Sequence, residues 1–229
     1  MTVDEQAKAY ETSRARIDAV ARTLTDEQLA TTVQCCPKWT AKDLVGHLTG
    51  VLEDRCEHNM PTGGFEAWTD DQVARHRGQS IGEVLDRWAA LPVERNDDAP
   101  SLAALSFDVV THEHDLYQAL QVPADRDTHS VRVGSGRARE RMGAMLTEAG
   151  APGVRLRTEE GEELIEGGTA PIGLTTTTYT FMRLVTGRMS RGQADALDWH
   201  GDAATVLDAL FADRFFTLQP SDVVEAATA

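Results

Sequence analysis

His47, Asp108 and His112 stand out from the rest of the chain by type and spacing. Asp108 and His112 are four residues apart in FDVVTHEHDLYQAL, whose apolar residues recur at intervals of three and four, so a helix puts both on one face. In the segment WTAKDLVGHLTGVL, His47 shares a stripe with Leu44, Leu48 and Val51 and points inward with them. Imidazole nitrogens and a carboxylate suit a divalent ion, zinc above all. Three protein ligands leave a coordination position open, which distinguishes zinc sites that act on a substrate from closed structural ones.

Two neutral imidazoles and one carboxylate would leave a zinc ion with net charge +1, which favours an anionic fourth ligand. A coordinated thiol, ordinarily ionising near a pKa of about 8.5, would be held as thiolate, and bound water would ionise at roughly pH 7. Each residue also has a plainer use. A histidine on an apolar helix face is commonly a hydrogen-bonded core residue, and Asp108 could pair with an arginine instead of a metal. Asp115, on the same stripe as Leu105, Asp108, Val109, His112 and Leu116, either accepts from a ligand imidazole N–H or pairs with a basic residue. The tripeptide His112-Glu113-His114 lacks the second histidine of an HExxH protease motif, so Glu113 is expected at solvent and His114 on the surface. Cys36 and Cys56 have no base or cation at helical spacing and read as inert thiols.

Helices must position these groups. A first helix is expected over residues 5–24, followed by a capping box of Thr25 with Gln28. A second is capped by Thr40 with Asp43 and carries His47; a third runs from Ser80 and Glu83 to Leu91, before Pro92; a fourth spans 100–120. Residues 61–79 read as a Gly-containing connection, and no strand is expected before residue 120. Pro123 and ADRDTHS place a boundary near 122–130, which divides the chain into domains 1–125 and 126–229. The second domain reads as α+β: a helix over 132–149, a hairpin in VRLRTEEGEELIEGG, a strand passing into a helix in TTTTYTFMRLVTG, a short strand in ALDWHGD and a helix from Ala203 to about Phe211. The fold class is thus an all-α four-helix bundle followed by a smaller α+β domain.

Composition narrows the partners. With 22 Lys and Arg against 37 Asp and Glu, the net charge of −15 has the wrong sign for nucleic acid or an anionic membrane surface. The 229 residues are 41% hydrophobic and 26% charged, as in soluble globular proteins. No window approaches a membrane span and the N-terminus MTVDEQAKAY has no signal-peptide character, so a cytoplasmic location is expected. Three cysteines, two of them adjacent, argue for reduced thiols. Lysine occurs only at positions 8, 38 and 42, a bias towards arginine that accompanies GC-rich bacterial genomes.

WTAKDLVGHL (39–48), FDVVTHEHDLYQAL (107–120) and YTFMRLVTGRMSRGQADALDWHGDAATVLDAL (179–210) together carry a family pattern. On these segments the chain resembles the mycothiol-dependent maleylpyruvate isomerase family, within the wider DinB-like four-helix bundles. The resemblance implies that the histidine closing W-x-x-x-D-L-x-x-H and an acid-x-x-x-His pair hold zinc, which falls on His47, Asp108 and His112; the family's acid is Glu where this chain has the shorter Asp108. It implies mycothiol as thiol cosubstrate and a second-domain arginine for an acidic substrate, for which Arg188 in GRMS is the candidate and Arg183 the reserve. It further implies thiol addition to the double bond of maleylpyruvate, rotation and expulsion of the thiol, or conjugation and transfer in relatives. The expectation is a metal-dependent enzyme that activates a low-molecular-weight thiol towards a small electrophile. A hydrolase using the same open position, and a non-catalytic ligand-binding module, are the alternatives.

Overall fold

The computed structural model describes residues 2–59, 64–93, 99–212 and 215–228, with residues 99–101 described by backbone alone. It divides into two compact units, Met1–Ala124 with Glu225–Ala229, and Asp125–Val224.

In the first unit α1 (Val3–Ala21), α3 (Ala41–Cys56), α5 (Ile81–Ala89) and α6 (Ala99–Leu120) form the bundle, with a single turn α2 (Asp26–Leu29) after α1. Capping boxes at Thr2, Thr25, Thr40 and Ser80 start α1, α2, α3 and α5, each satisfying orphan backbone N–H groups at a helix start. Leu44, Leu48 and Leu52 line the inner face of α3 and are fully buried; each such burial stabilises by about 1.5–3 kcal/mol. Trp88 of α5 donates from Nε1 to the Tyr10 hydroxyl of α1 at 2.9 Å, which satisfies the one polar atom its burial would otherwise strand.

Two expectations for this region are corrected. Residues 61–79 are not a plain connection: although 61–63 lie outside the described residues, Phe65–His76 forms a helix, α4, packed along α3. Its inward face carries Gln72, Val73 and His76, two of them polar, so no apolar stripe announced it. Nor is the region free of strands, because β1 (Thr32–Val33) and β2 (Cys36–Thr40) pair antiparallel and lead directly into the Thr40 cap of α3.

The second unit is α+β. Its four-stranded sheet runs β4 (Gly161–Ile165), β3 (Pro152–Thr158), β5 (Thr169–Thr175), β6 (Asp198–His200), with β3 and β5 parallel and the outer pairings antiparallel. Gly161, at φ 132°, makes the tight β3–β4 turn that other residues rarely adopt. Val154 and Leu156 of β3 are buried, alternating with exposed Arg155 and Arg157, and β3 packs on α7 (His129–Glu148). Helices α8 (Thr178–Val185) and α10 (Ala203–Leu210) also pack on α7, and the short α9 (Arg191–Asp195) precedes β6.

Candidate metal centre

The Thr40 capping box fixes the start of α3: Thr40 Oγ1 accepts from the Asp43 backbone N–H, and Asp43 Oδ2 accepts from the Thr40 N–H, both at 3.1 Å. Two helical turns later the chain presents His47 to the bundle interior, 4% exposed. Opposite, α6 presents Asp108 and His112 one turn apart. His47, Asp108 and His112 each bring a ligand atom within 4.8 Å of the others. His47 Nε2 lies 3.6 Å from Asp108 Oδ2, and His112 Nε2 lies 3.5 Å from Asp108 Oδ1. The shorter acid therefore still reaches both imidazoles.

The other ring nitrogens are engaged. His112 Nδ1 meets Asp115 Oδ2 at 3.1 Å, and His47 Nδ1 meets Gln72 Oε1 at 2.9 Å. A carboxylate can only accept, so His112 donates from Nδ1, and in the neutral ring the lone pair then lies on Nε2, the nitrogen that faces Asp108. Of the two uses open to Asp115, the structure shows the imidazole acceptor. The Nε2–carboxylate distances exceed ordinary hydrogen bonds and are close to the edge of roughly 3.3–3.4 Å expected of a tetrahedron with ligand bonds of about 2.0–2.1 Å. Lone pairs converging on one point, each ring backed by an acceptor, fit a divalent cation, and this arrangement is what metal-binding imidazoles generally show.

Access differs among the three side chains. The side chains of His47 and His112 are 5% and 7% exposed, while that of Asp108 is 31% exposed, so solvent reaches the centre past the carboxylate. Trp39, at the end of β2, covers the imidazoles, its ring centroid 4.6 Å from that of His47 and 5.7 Å from that of His112. Cys36, also placed by β2, forms a second ligand-type cluster with His112 and Asp115. The strand pairing that brings it there spans only a few residues, too short for its alternation to be read in advance.

Two other residues of the motif depart from expectation. Glu113 is not at solvent: it is 1% exposed and takes a bidentate pair from Arg16, Nε at 2.5 Å and Nη2 at 2.9 Å. His114 is not on the surface either; it is 2% exposed, with its ring edge-on to Tyr117. Both follow from the position of α6, which packs against α1 on one side and α3 on another and so has little solvent face. Arg188 belongs to the second unit, where it is 7% exposed, donates from Nη1 to Thr186 O at 2.7 Å and lies over the Phe216 ring. Arg183, of α8, is also buried there.

The class defined by this fold and site is a helical bundle with a two-histidine, one-carboxylate centre, followed by an α+β unit. Residues 10–55, from within α1 through the hairpin to nearly the end of α3, match the family model of the mycothiol maleylpyruvate isomerase N-terminal domain. The fold is that of the crystal structure of the mycothiol-dependent maleylpyruvate isomerase, with a TM-score of 0.58 at 12% identity over 82% of this chain and 90% of that one. A histidine-to-alanine mutant of the mycothiol-dependent maleylpyruvate isomerase matches with a TM-score of 0.60 at 12% identity, over 87% and 93% of the two chains. No curated protein matches the sequence. Among the described residues no helix is long and apolar enough to cross a membrane.

Proposed function

We propose that the protein is a metal-dependent enzyme that activates a low-molecular-weight thiol, mycothiol by likeness to its structural relatives, for addition to or transfer onto a small electrophile, with isomerisation of a maleylpyruvate-like substrate as the leading case. The observation that carries the reading is the convergence of His47 Nε2, His112 Nε2 and the Asp108 carboxylate beside a solvent-reached carboxylate edge. A divalent ion bound there, zinc by donor type, supplies positive charge that favours the thiolate form of a thiol.

The chain's own residues do the rest. His47 and His112 contribute neutral nitrogen and Asp108 the single negative charge, so the centre retains a net positive field for an anionic sulfur. Trp39 shields the imidazole faces from water on one side. Arg188 is the proposed cation for a substrate carboxylate, on the family pattern of GRMS. We place the enzyme in the cytoplasm, in keeping with three cysteines that form no disulfide among the described residues.

The test is metal content by elemental analysis of chelator-free protein, paired with turnover of maleylpyruvate with and without mycothiol. About one zinc per chain and thiol-dependent turnover, both lost in His112→Ala, are expected. Turnover that persists without thiol and yields cleavage products would make the centre hydrolytic; full activity in a metal-free variant would overturn the mechanism.

A further inference from the structure

Helix α4 contributes no ligand to the centre, yet it supplies the outer partner of His47, and the chemistry of that contact fixes the state of the imidazole. Asp54 is fully buried at the far end of the chain of contacts. Its Oδ1 accepts from Arg75 Nη2 at 2.9 Å and from Asn59 Nδ2 at 3.0 Å, and its Oδ2 accepts from Gln72 Nε2 at 2.8 Å. A carboxylate offers no proton, so the Gln72 amide cannot turn over without setting its own oxygen against Oδ2 in a buried site. Gln72 Oε1 therefore faces His47 Nδ1 at 2.9 Å, and only an Nδ1–H satisfies it. The proton is held on Nδ1 and the lone pair on Nε2, where Asp108 and His112 converge.

We propose that Gln72 and Asp54 are positioning residues for the metal, selecting by hydrogen bonding the His47 tautomer able to ligate it. The inference rests on the metal reading above. Two glycines of α3 make the arrangement possible: a Cβ at Gly50 would lie 2.7 Å from Gln72 Cβ, and one at Gly46 would lie 3.1 Å from His76 Cβ. The spacing of these glycines lets α4 lie close enough for Gln72 to reach across to His47.

Asp54→Asn tests this directly. The new amide keeps an oxygen for Arg75 and Asn59 but turns its nitrogen to Gln72, which relieves the clash of donors by flipping; its NH2 then faces His47 Nδ1 and drives the proton to Nε2. Zinc affinity, measured by competition with a chromophoric chelator, should fall roughly 10–100-fold, and the visible absorption of the cobalt(II)-loaded protein should weaken or shift. Adding Gln72→Glu supplies a carboxylate that accepts from both the new amide and His47 Nδ1–H, and the double variant should regain affinity and spectrum. Gln72→Leu, which removes both hydrogen bonds without changing Asp54, should show the same loss. Circular dichroism identifies any variant that does not fold. Folded Asp54→Asn and Gln72→Leu proteins that bind zinc as tightly as wild type, or a double variant no better than the single, would overturn the proposal. A wild-type protein that takes up neither zinc nor cobalt would instead overturn the metal reading itself.

Discussion

Adding one methyl group at Gly50 should cost stability where helix propensity alone says it should help. Alanine is favoured over glycine in a helix interior by roughly 1 kcal/mol. At Gly50, however, the new Cβ would sit 2.7 Å from Gln72 Cβ, 2.9 Å from its Cγ and 3.1 Å from its Cα. Carbon atoms rest at about 3.5–4.0 Å, so α4 must retreat by roughly 1 Å, because Cα and Cβ cannot swing aside as the tip of a long side chain can. Forcing a methyl into such packing costs about 1–3 kcal/mol, which cancels the propensity gain at the low end and leaves a net loss of ~2 kcal/mol at the high end. The same retreat would stretch the 2.9 Å contact between Gln72 and His47 beyond hydrogen-bond range, so zinc affinity should fall together with stability. Gly82 is the control: it also lies in a helix, and a Cβ there meets nothing nearer than Ser80 Oγ at 4.0 Å, so Gly82→Ala should stabilise by up to about 1 kcal/mol with metal binding unchanged. Urea unfolding and chelator competition on both variants provide the assay. A Gly50→Ala protein as stable as Gly82→Ala, with wild-type zinc affinity, would refute the close-approach argument.

Two further outcomes concern the same unit. Tyr10→Phe removes the acceptor for Trp88 Nε1 and strands a buried N–H, which should cost about 1–3 kcal/mol and lower the thermal midpoint by several degrees; an unchanged midpoint would show that Trp88 has another partner. Burial raises the pKa of Glu53, but hydrogen bonds from His76 and Arg87 outweigh it and bring the carboxyl down from 4.5 to about 2, while the same contact raises His76 above its ordinary 6.5. Glu53 therefore contributes stability that is present above pH 4.5 and is lost as pH falls towards 2; His76 contributes stability that is complete below pH 6.5 and is lost as pH rises through its higher folded value. The pair is strongest between these limits, and Glu53→Gln should flatten the pH dependence of unfolding on both sides. An unaltered pH profile in that variant would refute the assignment.

The residues with periodic apolar neighbours were the legible ones. His47 and the Asp108–His112 pair could be placed because α3 and α6 carry leucine and valine at helical spacing and because Thr40 announces a cap. The outer ring of the site was harder to read. Gln72 lies on a helix whose buried face is largely polar and whose N-cap, Gly64, makes no side-chain cap hydrogen bond, so neither periodicity nor capping marks it. Glu113 and His114 were misplaced for a related reason: helical geometry says which residues share a face, but only the number of neighbouring elements says how many faces are covered. Arg16, which balances Glu113, comes from 97 positions away, a pairing no local pattern encodes.

Because Asp108 and His112 ride one turn apart on α6, their backbone positions are about 6 Å apart along the axis whatever the surrounding sequence does, and the side chains close that separation to 3.5 Å. Only the gap between α3 and α6 remains adjustable. Elements that hold this gap, or that orient His47 as α4 does through Gln72, are where changes of sequence should tell most. A substitution that spreads these two helices by a fraction of an ångström should therefore weaken the proposed metal centre, even from a position that touches none of its three side chains.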